Sequence, residues 1–279
     1  MKIASFKADG QARIGRVEGR SVIDLTGHIG NAETLAELLS VPSWSKQAAS
    51  ANGRAYALDE VEYLPLNPGT GAKILALGYA YQDHAAETNH AATEFPFFFS
   101  KFPQALAGHL QPLRRPAISD KFDYEGEVAV VMGRRAYRIT EAEALDCIAG
   151  YTIMMDGSIR DWQKHSVTAG KNFVGLTPIG PWMATPDEAG PHDGLRLETR
   201  LNGTVMQSAV TSNLIWSIPY LVSYCASFCQ LEPGDIISTG TPGGVGAKRD
   251  PQVFMKPGDR IEVEVSGIGI LSNPVTDES

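Results

Sequence analysis

The 279-residue chain is 43% apolar and 20% charged, and its formal net charge is −8. With no basic block to offset that charge, nucleic acid is not expected as a main partner. No run reaches the roughly 18–20 apolar residues of a membrane span, so no membrane partner is expected either.

Residues 1 to about 68 read as short strands, KIASF, RIGRV and SVIDL, broken by the turns KADG and VEGR. ETLAELLS follows as a short amphipathic helix. LPLNPGTGAK, with two prolines and two glycines, reads as a linker. It divides a small N-terminal domain, 1–68, from a larger domain, 69–279. The larger part opens with the apolar strand KILALGYAY. A short helix and loop, DHAAETNHAATEF, and the aromatic, proline-punctuated FPFFFSKFP come next. In KFDYEGEVAVVMG, VAVVM is apolar at every position, as in a strand covered on both faces. Thr140 and Glu143 form a capping box for a helix EAEALDCIA, which Gly150 is expected to end. YTIMMD is the next strand. Ser217 caps the helix IPYLVSYCASFC, whose apolar stripe is Leu221, Val222, Cys225, Phe228 and Cys229. IISTG is a strand, and RIEVEVSG with IGILSNPV a closing hairpin. Strands dominate and helices do not alternate with them regularly. The pattern predicts a strand-rich, mixed α+β fold rather than a doubly wound sheet.

Cys147, Cys225 and Cys229 are an odd count without a CxxC pair, and MKIASFKADG lacks an apolar signal segment; both features read as a reduced, cytoplasmic protein. Cys225 and Cys229 lie i, i+4 on one helix, but no further Cys/His cluster completes a zinc site, so they read as core thiols.

The chemistry concentrates in a few carboxylates and cations. Glu125 and Glu127 are two apart on a strand, so they point to one face. Like charges side by side near a dry interior cost on the order of several kcal/mol unless something neutralises them. Asp156 ends the strand YTIMMD, and a crossover helix between the two strands would set it beside the glutamates. Three converging carboxylates suit Mg²⁺, Mn²⁺ or Ca²⁺ better than Zn²⁺. The competing reading leaves Glu125 in solvent and pairs Glu127 with a basic residue. Arg160 and Gln163 share a face in GSIRDWQ and suit a carboxylate or phosphate; alternatively Arg160 pairs with Asp161 or Asp123. His84 and Glu87, i and i+3 in DHAAE, have the form of a general base with an orienting carboxylate, or of a surface helix pair. GTPGGVGAK is glycine-rich but is not a phosphate loop, because Lys248 is displaced and no Ser or Thr follows it. It reads as a close-approach turn beside a ligand. Trp162, Trp182 and Trp216 read as packing, and His90 as an exposed loop residue or a second base.

GYAYQDHAAE, DYEGEVAVVMG, GYTIMMDGSIRDWQ, AGKNF, PIGPW, LNGTVMQ, LEPGDIISTGTPGGVG and PGDRIEVEVSGIGILSNPV, in this order over about 200 residues, resemble the fumarylacetoacetate hydrolase family. The resemblance implies a β-rich roll, a small N-terminal domain and a homodimer. It implies Mg²⁺ or a similar ion (Mn²⁺ or Ca²⁺) on Glu125, Glu127 and Asp156. It also implies a water-activating pair His84 and Glu87, an oxyanion-stabilising Lys171, and substrate contacts from Tyr81, Arg160, Gln163 and Thr241. The implied activity is C–C bond hydrolysis of a 2,4-dioxo acid of the acylpyruvate type, giving a carboxylic acid and pyruvate. Decarboxylation or isomerisation of a 2-oxo acid, or binding without turnover, are the alternatives. Where relatives carry Asn, Asn and Asp, this chain has Ala80, Met155 and Val174. These departures predict less polar pocket surroundings and a less polar substrate tail.

Overall fold

In a computed structural model the structure describes residues 1–66, 71–87 and 94–278. Three strands run side by side at its centre. Gly126–Met132 pairs antiparallel with Ile148–Met155 on one side and with Ile236–Ser238 on the other. Ile236–Ser238 pairs parallel with Ile74–Gly78, and Phe97–Ser100 closes that edge. Beyond Ile148–Met155 lies Thr177–Ala184, to which Lys2–Ala8 is joined at Lys2 and Ile3. The N-terminal strands Gln11–Glu18, Ser21–Asp24 and Ala55–Ala57 therefore continue the same sheet. A second sheet runs in the order Thr204–Val210, Arg196–Leu201, Arg260–Val265, Gly269–Asp277, Leu113–Arg115.

The alternation of a strand explains the layering. Val128, Val130 and Met132 face a core shared with Leu197, Val263 and Leu271 of the second sheet. Ala129 and Val131 face the other way, into a core shared with Ile3, Ile14, Leu35 and Leu38 of the N-terminal region. The central strand is covered on both faces, as its unbroken apolar run predicts. The fold is strand-rich and α+β, with the predicted hairpin Arg260–Val265/Gly269–Asp277 in place. Among the described residues no helix is long and apolar enough to cross a membrane.

Local expectations fare unevenly. Thr34 caps Leu35–Ser40, and Ser217 caps Ile218–Phe228 by accepting from the Tyr220 N–H at 3.2 Å. Phe228, placed on the apolar stripe, is exposed instead. The Thr140 capping box forms, but its helix stops early: Glu141–Ala144 gives way to a 3₁₀ turn through Cys147. Gly150 does not end it. That glycine lies within a strand, where a Cβ would come 2.3 Å from the Ala184 carbonyl oxygen, so close approach of neighbouring backbone is what the position demands. The expected helix between the two central strands is there, at Glu141–Ala144, but it is not a parallel crossover: the strands are direct antiparallel neighbours. The helix Gln82–Glu87 is present; most of the rest of the DHAAETNHAATEF reading, including His90, and part of the linker fall on 88–93 and 67–70, outside the described residues.

Candidate active site

The antiparallel register builds the carboxylate cluster. Gly126 faces Met155, and the Asp156 N–H donates to the Glu125 carbonyl at 2.8 Å. Asp156 thus lands beside the Glu125–Glu127 pair. Carboxylate oxygens of all three lie within 4.8 Å of one another, and the side chains are 0–5% exposed. Ser238, on the neighbouring strand, donates to Glu127.

Cations of the chain crowd the same cluster. Lys171 Nζ donates to Glu125 and, at 2.8 Å, to Asp156 Oδ2. Lys101, buried at the end of the Phe97–Ser100 strand, donates to Asp156 Oδ1 at 2.5 Å and to the Lys171 carbonyl. The Arg160 guanidinium spans Asp123 Oδ2 and Glu125 Oε1, 2.7 Å from each, and donates to Gln163 Oε1 at 3.1 Å. Arg160 therefore makes the predicted pair with Asp123 and also reaches the site. Asp123 is wholly buried and takes four donors: the N–H groups of Tyr124, Gly246 and Ala247 at 2.8–2.9 Å, and Arg160 Nε.

The electrostatics follow from burial and neighbours. Burial, then the charges of Asp156 and Glu125, push the Glu127 carboxyl well above the usual range. Burial acts the same way on Glu125, but the Lys171 ammonium and Arg160 guanidinium outweigh it and hold that carboxyl low. Burial drives Lys101 down in spite of Asp156. For Lys171 the charges of Asp156 and Glu125 overcome burial, and its value rises.

A cavity of about 320 Å³ opens over this cluster. His84, Glu125, Arg160, Gln163, Lys171 and Thr241 line it, between apolar walls from Leu77, Phe97, Phe99 and Val167. Glu127 and Asp156 lie behind Glu125. His84 Nδ1 is 2.8 Å from Glu87 Oε1, and Glu87 Oε2 accepts from the Gly244 N–H at 2.9 Å. Burial alone would raise Glu87, but the His84 and Gly244 hydrogen bonds lower it, so it stays an anionic partner for the imidazole. Thr241 donates to the Gly126 carbonyl at 3.0 Å and accepts from Gln207 at 2.7 Å. Tyr81 stands apart. It is fully buried, bridges to Leu214 and is not part of the lining; the lining tyrosine is Tyr79, whose ring stacks on His84 with centroids 6.0 Å apart.

The three departures do not line the cavity. Ala80 and Met155 are buried in the core and Val174 is 72% exposed, so a less polar substrate tail does not follow from them. The residues that sequence patterns did not mark are Lys101, Gln207 and Tyr79; Asp123 was marked only as a partner for Arg160, not as the anchor of the Gly246–Ala247 turn. A lysine directly after an apolar strand, as in FFFSK, is the one signal available for Lys101.

The donor set fits a hard divalent cation. It offers oxygen ligands only, from three buried carboxylates at the ends of adjacent strands, one of them raised in pKa by burial and then by the other two. The fumarylacetoacetate (FAA) hydrolase C-terminal family matches residues 73–276, and an Rv2993c-like N-terminal family matches residues 1–65.

The chain belongs to the fumarylacetoacetate hydrolase family.

Among its relatives in that family, the mitochondrial oxaloacetate tautomerase fahd2 of Xenopus laevis is 33% identical over 266 residues, covering 92% of this chain and 83% of that one. The oxaloacetate tautomerase YisK of Bacillus subtilis is 36% identical over 253 residues, covering 88% and 82%. A solved fumarylacetoacetate hydrolase from Exiguobacterium antarcticum superposes with a TM-score of 0.86 at 32% identity, over 100% of both chains. These three relatives bear the names of enzymes, two oxaloacetate tautomerases and a fumarylacetoacetate hydrolase.

Proposed function

We propose that the protein is a divalent-cation-dependent enzyme of 2-oxo acids that moves a proton at carbon 3, tautomerising an oxaloacetate-like acid. Glu125, Glu127 and Asp156 hold the cation, Mg²⁺ or Mn²⁺; when bound, it supplies Lewis acidity toward a chelating 2-oxo acid. Arg160 and Gln163 orient the substrate from one wall of the cavity. His84 takes the proton from carbon 3 in the keto form and, as the imidazolium, gives it to the keto oxygen, so the enol results and the imidazole is regenerated; the reverse path returns the keto acid. Glu87 fixes the imidazole by its hydrogen bond to Nδ1, leaving proton exchange to Nε2. Lys171 and Arg160 present positive charge where the enolate develops.

The observation that carries this reading is the His84–Glu87 pair, anchored to the Gly244 N–H and set on the wall of a cavity floored by the carboxylate cluster. The printed activities of the Xenopus and Bacillus relatives support the choice of tautomerisation. A second reading, hydrolysis of an acylpyruvate with His84 activating water, is favoured by the cavity volume, which leaves room beyond a four-carbon acid.

The test is a product-resolved assay with oxaloacetate and a panel of acylpyruvates, with and without Mg²⁺ or Mn²⁺. Keto–enol exchange lost on chelation and in both Glu125→Ala and His84→Ala supports the first reading. Pyruvate plus a carboxylic acid, lost under the same conditions, moves the assignment to the hydrolase. Turnover indifferent to chelation and to both variants sinks the site.

A further inference from the structure

The cavity's cations are not equally committed. Arg160 is held by Asp123 and Glu125, and Lys171 by Glu125 and Asp156. Lys248 also lines the cavity, is exposed, and has no carboxylate within 4 Å among the described residues. The undescribed segments 67–70 and 88–93 contain no Asp or Glu. Lys248 is the first residue of a basic pair, and its neighbour behaves oppositely. Arg249 turns inward, its Nε 3.1 Å from the Tyr124 hydroxyl and 3.2 Å from the Gly244 carbonyl.

The backbone under Lys248 is clamped on both sides. Gly246 and Ala247 donate their N–H groups to the buried Asp123, and the Lys248 N–H donates to the Val245 carbonyl at 3.1 Å. Gly246 has no room for a side chain, because a Cβ would meet the Val253 carbonyl at 1.8 Å and Asp123 Oδ1 at 2.6 Å. The backbone of Lys248 is thus fixed at the rim of a cavity that its side chain lines, while Glu125 of the buried carboxylate cluster lines the same cavity.

We infer that a 2-oxo acid held with its keto-acid end beside Glu125 turns its far end toward this rim, and that Lys248 is a specificity-determining residue that binds a second carboxylate there. This rests on the proposed chemistry at the same site. The alternative is a solvated surface lysine that takes no part in selection.

The test compares oxaloacetate with its C4 methyl ester, in which the far carboxylate is neutralised. Wild type, Lys248→Met, Lys248→Arg and Lys248→Glu are assayed in the presence of Mg²⁺, both for kcat/KM and for equilibrium binding by calorimetry. One charge-assisted contact at a partly screened site predicts that wild type favours the free acid about tenfold. That ratio falls to near one in Lys248→Met, returns in Lys248→Arg and inverts in Lys248→Glu. A wild type that does not distinguish the two compounds, or a Lys248→Met that keeps the full preference, overturns the inference. Binding separates the two claims. Lys248-dependent binding of the free acid without turnover keeps this assignment and removes the proposed reaction; turnover with no Lys248 dependence does the reverse.

Discussion

Replacing Asp123 by Asn removes one charge and exchanges one acceptor for a donor, in a side chain with no solvent exposure. The two carboxylate oxygens serve different partners: Oδ1 takes the Tyr124 and Gly246 N–H groups, and Oδ2 takes Ala247 N–H and Arg160 Nε. Whichever way the new amide turns, its NH₂ faces two donors. Arg160 also loses one of its two counter-charges, although Glu125 remains 2.7 Å away. Breaking a buried ion pair costs about 3–5 kcal/mol, and each orphaned buried donor about 1–3 kcal/mol. The surviving Glu125 contact and local relaxation work against the full sum, so a loss of about 3–5 kcal/mol is expected. Urea unfolding of wild type, Asp123→Asn, Arg160→Met and the double variant measures it, with the double-mutant cycle isolating the pair. The double variant should recover part of the loss, since Arg160→Met removes the stranded cation. A loss below about 1 kcal/mol in Asp123→Asn, with a coupling energy near zero, would refute the claim that this carboxylate holds the loop and the arginine together.

Three further outcomes follow from the same geometry. Mg²⁺ or Mn²⁺ should raise the melting temperature, since an ion at one hundred times its Kd adds about 2.7 kcal/mol of stability; Glu127→Gln should abolish most of that shift in a thermal melt. Gly246→Ala should lower stability by about 2 kcal/mol or more, because backbone rather than a flexible side chain blocks the Cβ; an unchanged urea midpoint would contradict the packing. Burial, aided by Arg260, lowers the His109 pKa to about 4, and its Nδ1 accepts from the Ser272 N–H at 3.0 Å. The unfolded chain, titrating near 6.5, binds the proton first, so this histidine makes stability fall as pH drops from about 6.5 to about 4, by up to about 3 kcal/mol. His109→Gln should flatten the stability–pH slope over that window.

What could be read from the chain tracks the range of the interaction that decides it. The central strand was legible because an unbroken apolar run of five residues needs cover on both faces, and the two sheets with the N-terminal region provide it. The Gly150 reading failed because glycine ends helices and also permits close strand packing; only the approach of Ala184, 34 positions along, separates those cases. The crossover expectation failed for a related reason. A short helix between two strands suits a parallel or an antiparallel return, and the Gly126–Met155 register settles it.

The site shows the same division. Glu125 and Glu127 follow from a two-residue period, and His84 with Glu87 from a helical turn. Asp156 needed only the neighbouring strand. Lys101 was out of reach, and so was the turn that Asp123 holds besides its readable partner Arg160, since tertiary contacts fix both: Lys101 meets Asp156 across 55 positions, and Asp123 meets Ala247 across 124. Their absence from the pattern left the carboxylate cluster looking more unbalanced than it is. Lys101, Lys171 and Arg160 already lie against Asp156 and Glu125, whereas Glu127 has a hydroxyl partner, Ser238, and a strongly raised pKa. Glu127 is therefore the carboxyl whose anionic form is least compensated, and burial with its two neighbours favours its neutral form. A bound divalent cation should exert its largest effect there, bringing the Glu127 carboxyl back down and releasing a proton as it binds. Calorimetry of Mn²⁺ binding in buffers of different ionisation enthalpy reads that proton directly. Binding heats independent of the buffer in wild type would place the proton elsewhere and refute this account of the cluster's charge.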